Sequence, residues 1–170
     1  MPLSTLSPSN PTSTSLRPAQ PAAKRFLRIL YADDVRELRE IARLSLSREG
    51  HGIECVEDGL IAYKRVLEDP AFDLIITDHH MPNMNGVEFV TALREVVFPG
   101  RIMVFSSDLT SGVAAEYQRL KVDRILFKPI YPSMLRQVIG ELFPGASRAE
   151  AAAPTAAHID RPLNRPRPPG

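Results

Sequence analysis

The chain has 170 residues, of which 44% are hydrophobic and 24% are charged, a balance typical of one globular domain with room for tails. The net charge of +1 does not favour nucleic-acid binding, although the two ends are basic and the body between them is mildly acidic. With a single cysteine, Cys55, an internal disulfide and a cysteine-based metal site are both excluded.

The two ends of the chain lack the composition of a packed domain. Residues 1–24 consist largely of Ser, Thr, Pro and Ala, and residues 145–170 are rich in Ala, Pro and Arg. Such segments bury too little to offset their ordering entropy, so we predict a disordered N-terminal arm and a flexible C-terminal tail. No stretch resembles a signal peptide or reaches the roughly 18 apolar residues of a membrane span. We therefore expect a cytoplasmic protein.

Between the arms, strand-like and helix-like stretches alternate. The predicted strands are residues 27–32, 52–56, 72–77, 101–106 and 123–127, and the predicted helices are residues 35–50, 58–69, 86–97, 110–120 and 131–143. The strands are apolar throughout, as strands covered on both faces should be. Five strands alternating with five helices predict an α/β domain with right-handed crossovers and a parallel sheet.

The predicted helices carry apolar side chains at helical spacing. Asp58 is expected to cap the second helix, and Gly50 is expected to end the first. The residues that we expect to face the core are, helix by helix, Val35, Leu38, Ile41 and Ala42; Phe89, Leu93 and Val96; Val113, Tyr117 and Leu120; and Leu135, Val138, Ile139 and Leu142.

Polar residues follow four of the strands at the point where each strand ends. They are Asp33 and Asp34, then Asp78, then Ser106, and then Lys128. In a parallel sheet these carboxyl ends meet at one edge, which is where open α/β sheets bind ligands. Clustered carboxylates repel one another, and a hard divalent cation such as Mg²⁺ relieves that repulsion. Acids, a hydroxyl and a lysine together predict a phosphoryl-transfer site in which one carboxylate attacks.

Four separated segments carry a resemblance to a known family. In order and in spacing, "YADD", "IITDHHMPNMNG", "MVFSSD" and "ILFKP" resemble the receiver domain of two-component response regulators. The resemblance covers about residues 26–144, so we assign residues 25–144 to a receiver domain. It implies a flavodoxin-like, doubly wound sheet with the strand order 2-1-3-4-5.

The resemblance also implies a role for each polar residue in phosphoryl transfer. Asp78 would be the phosphoacceptor, taking the group from a sensor histidine kinase or a phosphotransfer protein. Ser106 would bond one phosphoryl oxygen after transfer, and Lys128 would pair with another. The peptide bond between Lys128 and Pro129 is cis in the family, and the sequence is compatible with that.

Mg²⁺ is the cofactor that the resemblance implies. Asp34 and Asp78 would bind it directly, Asp33 would act through water, and His80 would supply its backbone carbonyl. A metal site made of the His79 and His80 side chains is not expected. Adjacent residues point to different sides, and no other His or Cys lies at ligand spacing.

Two positions affect how such a domain would work. Receivers usually place Tyr or Phe three residues before the lysine, where the ring changes rotamer upon phosphorylation. Here that residue is Ile125, which is stiff at its first torsion and has no ring, so the usual aromatic coupling is in question. His80 occupies a position that affects phosphoryl hydrolysis in the family, so an imidazole there would tune the lifetime.

Simpler interpretations exist for the same residues. Asp78 could form the turn before Met-Pro-Asn, Asp33 and Asp34 could cap the next helix, and Lys128 could be a solvated strand-end residue. Cys55 is expected to be a small buried hydrophobe. The tail arginines could contact nucleic acid or an acidic partner, although solvation is favoured.

The sequence therefore predicts a stand-alone response regulator that switches its affinity for an unknown downstream protein. The 26 residues after Pro144 are too few and too rich in proline for a helix-turn-helix domain, and a homodimer is compatible with the sequence. The main alternative is a receiver-like scaffold that binds partners without a phosphorylation cycle. An aspartate-nucleophile phosphatase is a weaker alternative, because such enzymes carry Asp-x-Asp and here His80 takes the second position, so we do not expect an enzyme.

Overall fold

The structure is a computed structural model that describes residues 26–107, 109–129 and 131–146. Apart from Gly145 and Ala146, the predicted arms, residues 1–24 and 145–170, lie outside this part of the chain. Within it, no helix combines the length and the apolar character needed to cross a membrane.

Five strands and five helices alternate along the chain, as predicted. The strands are β1 (Arg28–Ala32), β2 (Gly52–Val56), β3 (Leu74–Asp78), β4 (Arg101–Ser106) and β5 (Arg124–Phe127). The helices are α1 (Arg36–Arg48), α2 (Gly59–Glu68), α3 (Gly86–Glu95), α4 (Ser111–Arg119) and α5 (Pro132–Leu142). All strand pairs are parallel and their order is β2-β1-β3-β4-β5. The predicted flavodoxin-like α/β fold is therefore confirmed.

The register of the sheet brings the strand ends to one level. Ala32, the last residue of β1, pairs with Thr77 of β3, so Asp33 and Asp78 each come one residue further along. Asp78 pairs with Phe105, which places Ser106 next along β4. Because all strands run in one direction, the polar residues at their carboxyl ends collect at the same edge.

Two apolar layers cover the sheet, one on each face. The first is built on β1, β3 and β4 with Ala42 and Leu46 of α1 and Leu135, Val138 and Ile139 of α5. The second joins the other faces of these strands to α2, α3 and α4, and includes Phe89, Leu93 and Tyr117. Burial on both faces explains why the central strands are uninterrupted apolar runs.

The predicted inward faces of two helices were partly wrong. Val35 is 41% exposed because it precedes α1, and Val96 is 41% exposed because it follows α3. Ile41 lies within α1 but is 51% exposed, because the helix turns Ala42, Ser45 and Leu46 to the core instead. These are positions i, i+3 and i+4 of one helical stripe.

The two predicted signals at helix ends, Asp58 and Gly50, are confirmed, and the structure adds a capping box at α3 that was not predicted. The Asp58 side chain caps α2 by accepting a hydrogen bond of 2.7 Å from the Ile61 amide, and it accepts a second bond of 2.9 Å from Asn83 Nδ2. Gly50, just after α1, has a φ of 89°, in the left-handed region that favours glycine. At α3, Asn85 and Glu88 form a reciprocal capping box.

Candidate functional site

Three carboxylates meet at the carboxyl end of the sheet. One ligand oxygen from each of Asp33, Asp34 and Asp78 lies within 4.8 Å of the other two. Asp33 is fully buried and Asp78 is 6% exposed, whereas Asp34 faces solvent. The structure therefore places the acids at the ends of β1 and β3 close together, as predicted. One side of this cluster is open to an approaching group.

Lys128 closes the buried side of the cluster. Its Nζ lies 2.8 Å from Asp33 Oδ2 and 2.9 Å from Asp78 Oδ2, and its side chain is 15% exposed. Burial by itself lowers the pKa of Lys128, but the hydrogen bonds to both carboxylates outweigh it and raise that pKa above its ordinary value. The ammonium is therefore charged and paired, and the interpretation of Lys128 as a solvated residue is wrong. The Lys128–Pro129 peptide bond is cis.

Asp33 accepts two further hydrogen bonds. The Tyr31 hydroxyl donates to Oδ2 over 3.0 Å, and the Val35 amide donates to Oδ1 over 3.0 Å. Asp33 thus holds the turn into α1, but neither acid caps the helix as the capping interpretation expected, because the N-cap residue is Val35 and it has no side-chain cap. The sequence did not lead us to predict this contact of Tyr31. Residues two apart along a strand share a face, so the pair Tyr31 and Asp33 could have been recognised. Burial first, and then the Asp33 charge, raise the pKa of Tyr31, so its hydroxyl remains a donor.

Arg39 supports the loop that carries the two acids. Its Nη1 donates to the carbonyl oxygens of Asp33 at 2.7 Å and Asp34 at 2.9 Å. The guanidinium therefore cross-links the β1–α1 loop to the second turn of α1. No sequence signal beyond its place on α1 pointed to this contact.

Asp78 is held at the tip of the central strand. Its Oδ1 accepts a hydrogen bond of 2.6 Å from the His79 amide, and its Oδ2 pairs with Lys128. The Gly86 amide donates to the His79 carbonyl over 2.9 Å, which ties the loop after β3 to the start of α3. The buried Ser106 lies one residue beyond the β4 partner of Asp78.

The rings of His79 and His80 lie closer together than the sequence predicted. Their rings do not point to different sides, because the ring centroids lie 4.5 Å apart in an edge-to-face arrangement. His79 Nδ1 is 3.0 Å from the Tyr117 hydroxyl. Partial burial and the neighbouring His80 lower the pKa of His79, against the charge of Asp78. Across the described residues, the cluster of potential metal ligands is made of aspartates and includes neither histidine.

Two other residues singled out in the sequence lie away from the charged cluster. Ile125 of β5 is half-buried and packs against the apolar layer that contains Tyr117. Cys55 is half-buried rather than buried, at the edge of the other apolar layer. Burial raises the pKa of the Cys55 thiol, which keeps it protonated.

The donor set fits a hard divalent cation. It offers carboxylate oxygens, one of them exposed, and no sulfur or imidazole within the cluster. Oxygen ligands of this kind suit Mg²⁺, which uses one or two carboxylates and keeps several waters. A cation on the open side and Lys128 on the buried side would place positive charge on both flanks of Asp78. Such an arrangement can stabilise an anionic group that bonds to this carboxylate.

Comparison with known proteins identifies the family of this fold and site. The family model described as the response regulator receiver domain matches residues 29–140. The sensory/regulatory protein RpfC of Xanthomonas campestris pv. campestris is 28% identical over 125 residues, which are 71% of this chain and 17% of RpfC. The response regulator receiver protein CpdR of Brucella abortus is 28% identical over 115 residues, which are 68% of this chain and 92% of CpdR.

The solved structures agree with these sequence matches. The chemotaxis response regulator CheY4 of Vibrio cholerae superimposes with a TM-score of 0.64 at 26% identity, covering 69% of this chain and 99% of CheY4. The relatives differ in size, since the chain spans about one sixth of the length of RpfC but nearly all of CpdR. The similarity is therefore to a domain that occurs both within larger proteins and nearly by itself.

Proposed function

This chain belongs to the response regulator receiver domain family, and from that membership we propose that it accepts a phosphoryl group on Asp78 and thereby switches its affinity for a partner protein. The donor would be the phosphohistidine of a sensor histidine kinase or of a phosphotransfer protein. The observation that carries the proposal is the position of Asp78, at the tip of β3 and close to two other acids and to the largely buried ammonium of Lys128.

The proposed reaction moves one phosphoryl group from nitrogen to oxygen. A carboxylate oxygen of Asp78 attacks the phosphorus, the phosphorus–nitrogen bond of the donor breaks, and the donor imidazole keeps the bonding electron pair. The product is an acyl phosphate on Asp78. Bound Mg²⁺ would supply positive charge to the oxygens of the group in transfer. Asp34 and Asp78 would hold the ion directly, Asp33 through water, and His80 through its carbonyl.

The other residues of the pocket have roles before and after transfer. Before transfer, Lys128 offsets the repulsion between Asp33 and Asp78. Formation of the acyl phosphate removes the charge of the Asp78 carboxylate, while the phosphoryl group adds negative charge beside it. Lys128 then pairs with a phosphoryl oxygen, and the Ser106 hydroxyl donates to another. The new contacts favour one of two conformations, and the partner reads that shift in population.

The test is direct phosphorylation with a small donor. The protein is incubated with acetyl phosphate and Mg²⁺, and the intact mass is compared with that of Asp78→Asn. We expect one added phosphoryl group on the wild type and none on the variant. Hydroxylamine should remove the group, because it cleaves acyl phosphates and spares phosphoserine. Asp69→Asn, which changes an acid at the end of α2, is the matched control and should be modified normally.

Two further arms separate the proposal from its rivals. A chelator in place of Mg²⁺ should slow the modification strongly if the acidic cluster binds the ion. Failure of the wild type to be modified by any of several donors would instead support a scaffold without a phosphorylation cycle. The stand-alone organisation, the cytoplasmic location and the homodimer remain predictions.

A further inference from the structure

Tyr117 is the one fully buried residue of helix α4, and Val113 adds a partly buried contact with the same apolar layer. Tyr117 is fully buried, whereas every other residue of Ser111–Arg119 is half-buried or exposed. The Tyr117 ring lies in the apolar layer formed with α2 and α3. Because a fully buried aromatic side chain dominates the packing energy of so short a helix, the position of Tyr117 sets the position of α4.

The hydroxyl of this tyrosine reaches the loop after Asp78. It lies 3.0 Å from His79 Nδ1, and the two rings meet edge-on with centroids 5.8 Å apart. Gly86 makes room for it, because a Cβ at that position would lie 2.4 Å from the hydroxyl oxygen. Burial is the main reason that the pKa of Tyr117 is raised, so the hydroxyl keeps its proton and donates.

His79 connects this hydroxyl to the carboxylate that is proposed to react. Its backbone amide donates to Asp78 Oδ1 over 2.6 Å, while its ring meets Tyr117. Formation of the acyl phosphate removes the charge of the Asp78 carboxylate and weakens the acceptor for this amide, since hydrogen bonds to ionised groups are the stronger ones. The geometry of His79 therefore depends on the state of Asp78.

Strand β5 offers no comparable link. Ile125 is aliphatic and half-buried, and it packs against the same apolar layer as Tyr117. A side chain branched at Cβ is stiff at its first torsion, and isoleucine has no polar group to report a change of charge. A signal from Asp78 to α4 has a polar route through His79 and none through Ile125.

We propose that Tyr117 is a positioning residue of the phosphoacceptor loop, and that its hydrogen bond to His79 passes the state of Asp78 to α4. This inference rests on the proposed phosphorylation of Asp78. Receivers usually place an aromatic residue on β5 for this signalling role, and this chain has Ile125 there. The proposal gives the role to Tyr117 on α4 instead. The surface of α4 is then a part of the domain that responds to the state of Asp78.

The test compares Tyr117→Phe, which removes only the hydroxyl, with Tyr63→Phe, which alters a half-buried tyrosine of α2. Modification of Asp78 by acetyl phosphate is followed by intact mass, and hydrogen exchange of the α4 amides is measured before and after it. In the wild type and in Tyr63→Phe we expect α4 exchange to change about fivefold, the equivalent of one hydrogen bond of about 1 kcal/mol. In Tyr117→Phe we expect normal modification and loss of most of that change.

A second variant guards against an uninformative loss of folding. His79→Leu removes the acceptor from the other side of the bond, and combined with Tyr117→Phe it should add nothing further to the loss. If Tyr117→Phe is modified and α4 still responds as in the wild type, this inference is wrong and the proposed function stands. If the wild type itself is not modified, both are wrong.

Discussion

Replacing Lys128 by methionine tests the electrostatics of the pocket most directly. The substitution keeps the length and the apolar stem of the side chain and removes only the ammonium. In the wild type that ammonium lies 2.8 Å and 2.9 Å from two carboxylates, one of which is fully buried. The variant leaves Asp33 and Asp78 facing each other without a counter-charge.

The expected cost is bounded by two limits. Each attraction is worth about 6 kcal/mol at an effective dielectric constant of 20, but desolvation of the three charges offsets much of it, and breaking a buried pair typically costs about 3–5 kcal/mol. Uptake of a proton by one carboxyl sets a ceiling. Protonating an aspartate from its ordinary pKa near 3.9 costs about 4 kcal/mol at pH 7 and about 1.5 kcal/mol at pH 5. We therefore expect Lys128→Met to lower the free energy of unfolding by about 3–4 kcal/mol at pH 7.

The sign of the pH dependence is fixed by which state holds the extra proton. In the variant, the folded form would bind a proton that the unfolded chain releases. The loss of unfolding free energy relative to the wild type is therefore large at neutral pH and shrinks as the pH falls. The assay is urea unfolding at pH 7 and pH 5 in chelator. Lys64→Met, at an exposed position on α2, makes the same charge change and should stay within about 0.5 kcal/mol of the wild type. A deficit below about 1 kcal/mol at pH 7, or one that grows on acidification, would refute the reasoning.

Three further predictions, at Gly86, Asp58 and Glu54, probe the rest of the domain. Gly86→Ala should lower the free energy of urea unfolding by about 2–3 kcal/mol, because the new Cβ would lie 2.4 Å from a backbone carbonyl oxygen in a packed interior. Gly112→Ala, at an exposed position of α4, should instead raise it by about 0.5–1 kcal/mol. Equal effects of the two substitutions would contradict the packing argument. Asp58→Ala should cost about 2–3 kcal/mol, since it removes a helix cap and leaves a donor unpaired, and Asp58→Asn should recover part of that loss. The hydrogen-bonded guanidinium of Arg65 lowers the pKa of Glu54, so the stability that this pair contributes is present above the ordinary pKa and is lost as the pH falls through the folded value. Glu54→Gln should therefore cost at most about 0.5 kcal/mol of unfolding free energy at pH 7, because the pair is partly exposed. That cost should shrink as the pH falls below the ordinary carboxyl range; a cost that grows on acidification would count against the ion pair.

The sequence alone determined the architecture of this protein. Uninterrupted apolar runs such as β3 require cover on both faces, and their alternation with amphipathic stretches leaves a parallel sheet as the natural solution. A parallel sheet gathers the residues at the carboxyl ends of its strands along one edge. The meeting of Asp33, Asp78 and Lys128 could therefore be predicted from a chain in which 95 residues separate the first from the last. Hydrophobic pattern and chain direction carry this information, and both can be read locally.

The tertiary structure decided which individual groups touch. The predicted inward face of α1 was rotated by a fraction of a turn, since it included the exposed Ile41. The rotation of a helix depends on what packs against it and not only on its own pattern. The contacts of Arg39 with the β1–α1 loop and of Tyr117 with His79 join residues whose side-chain directions are set only after the layers have packed. Sequence patterns specify which faces are buried, whereas hydrogen bonds between distant side chains depend on ångström-level placement that only the assembled fold supplies.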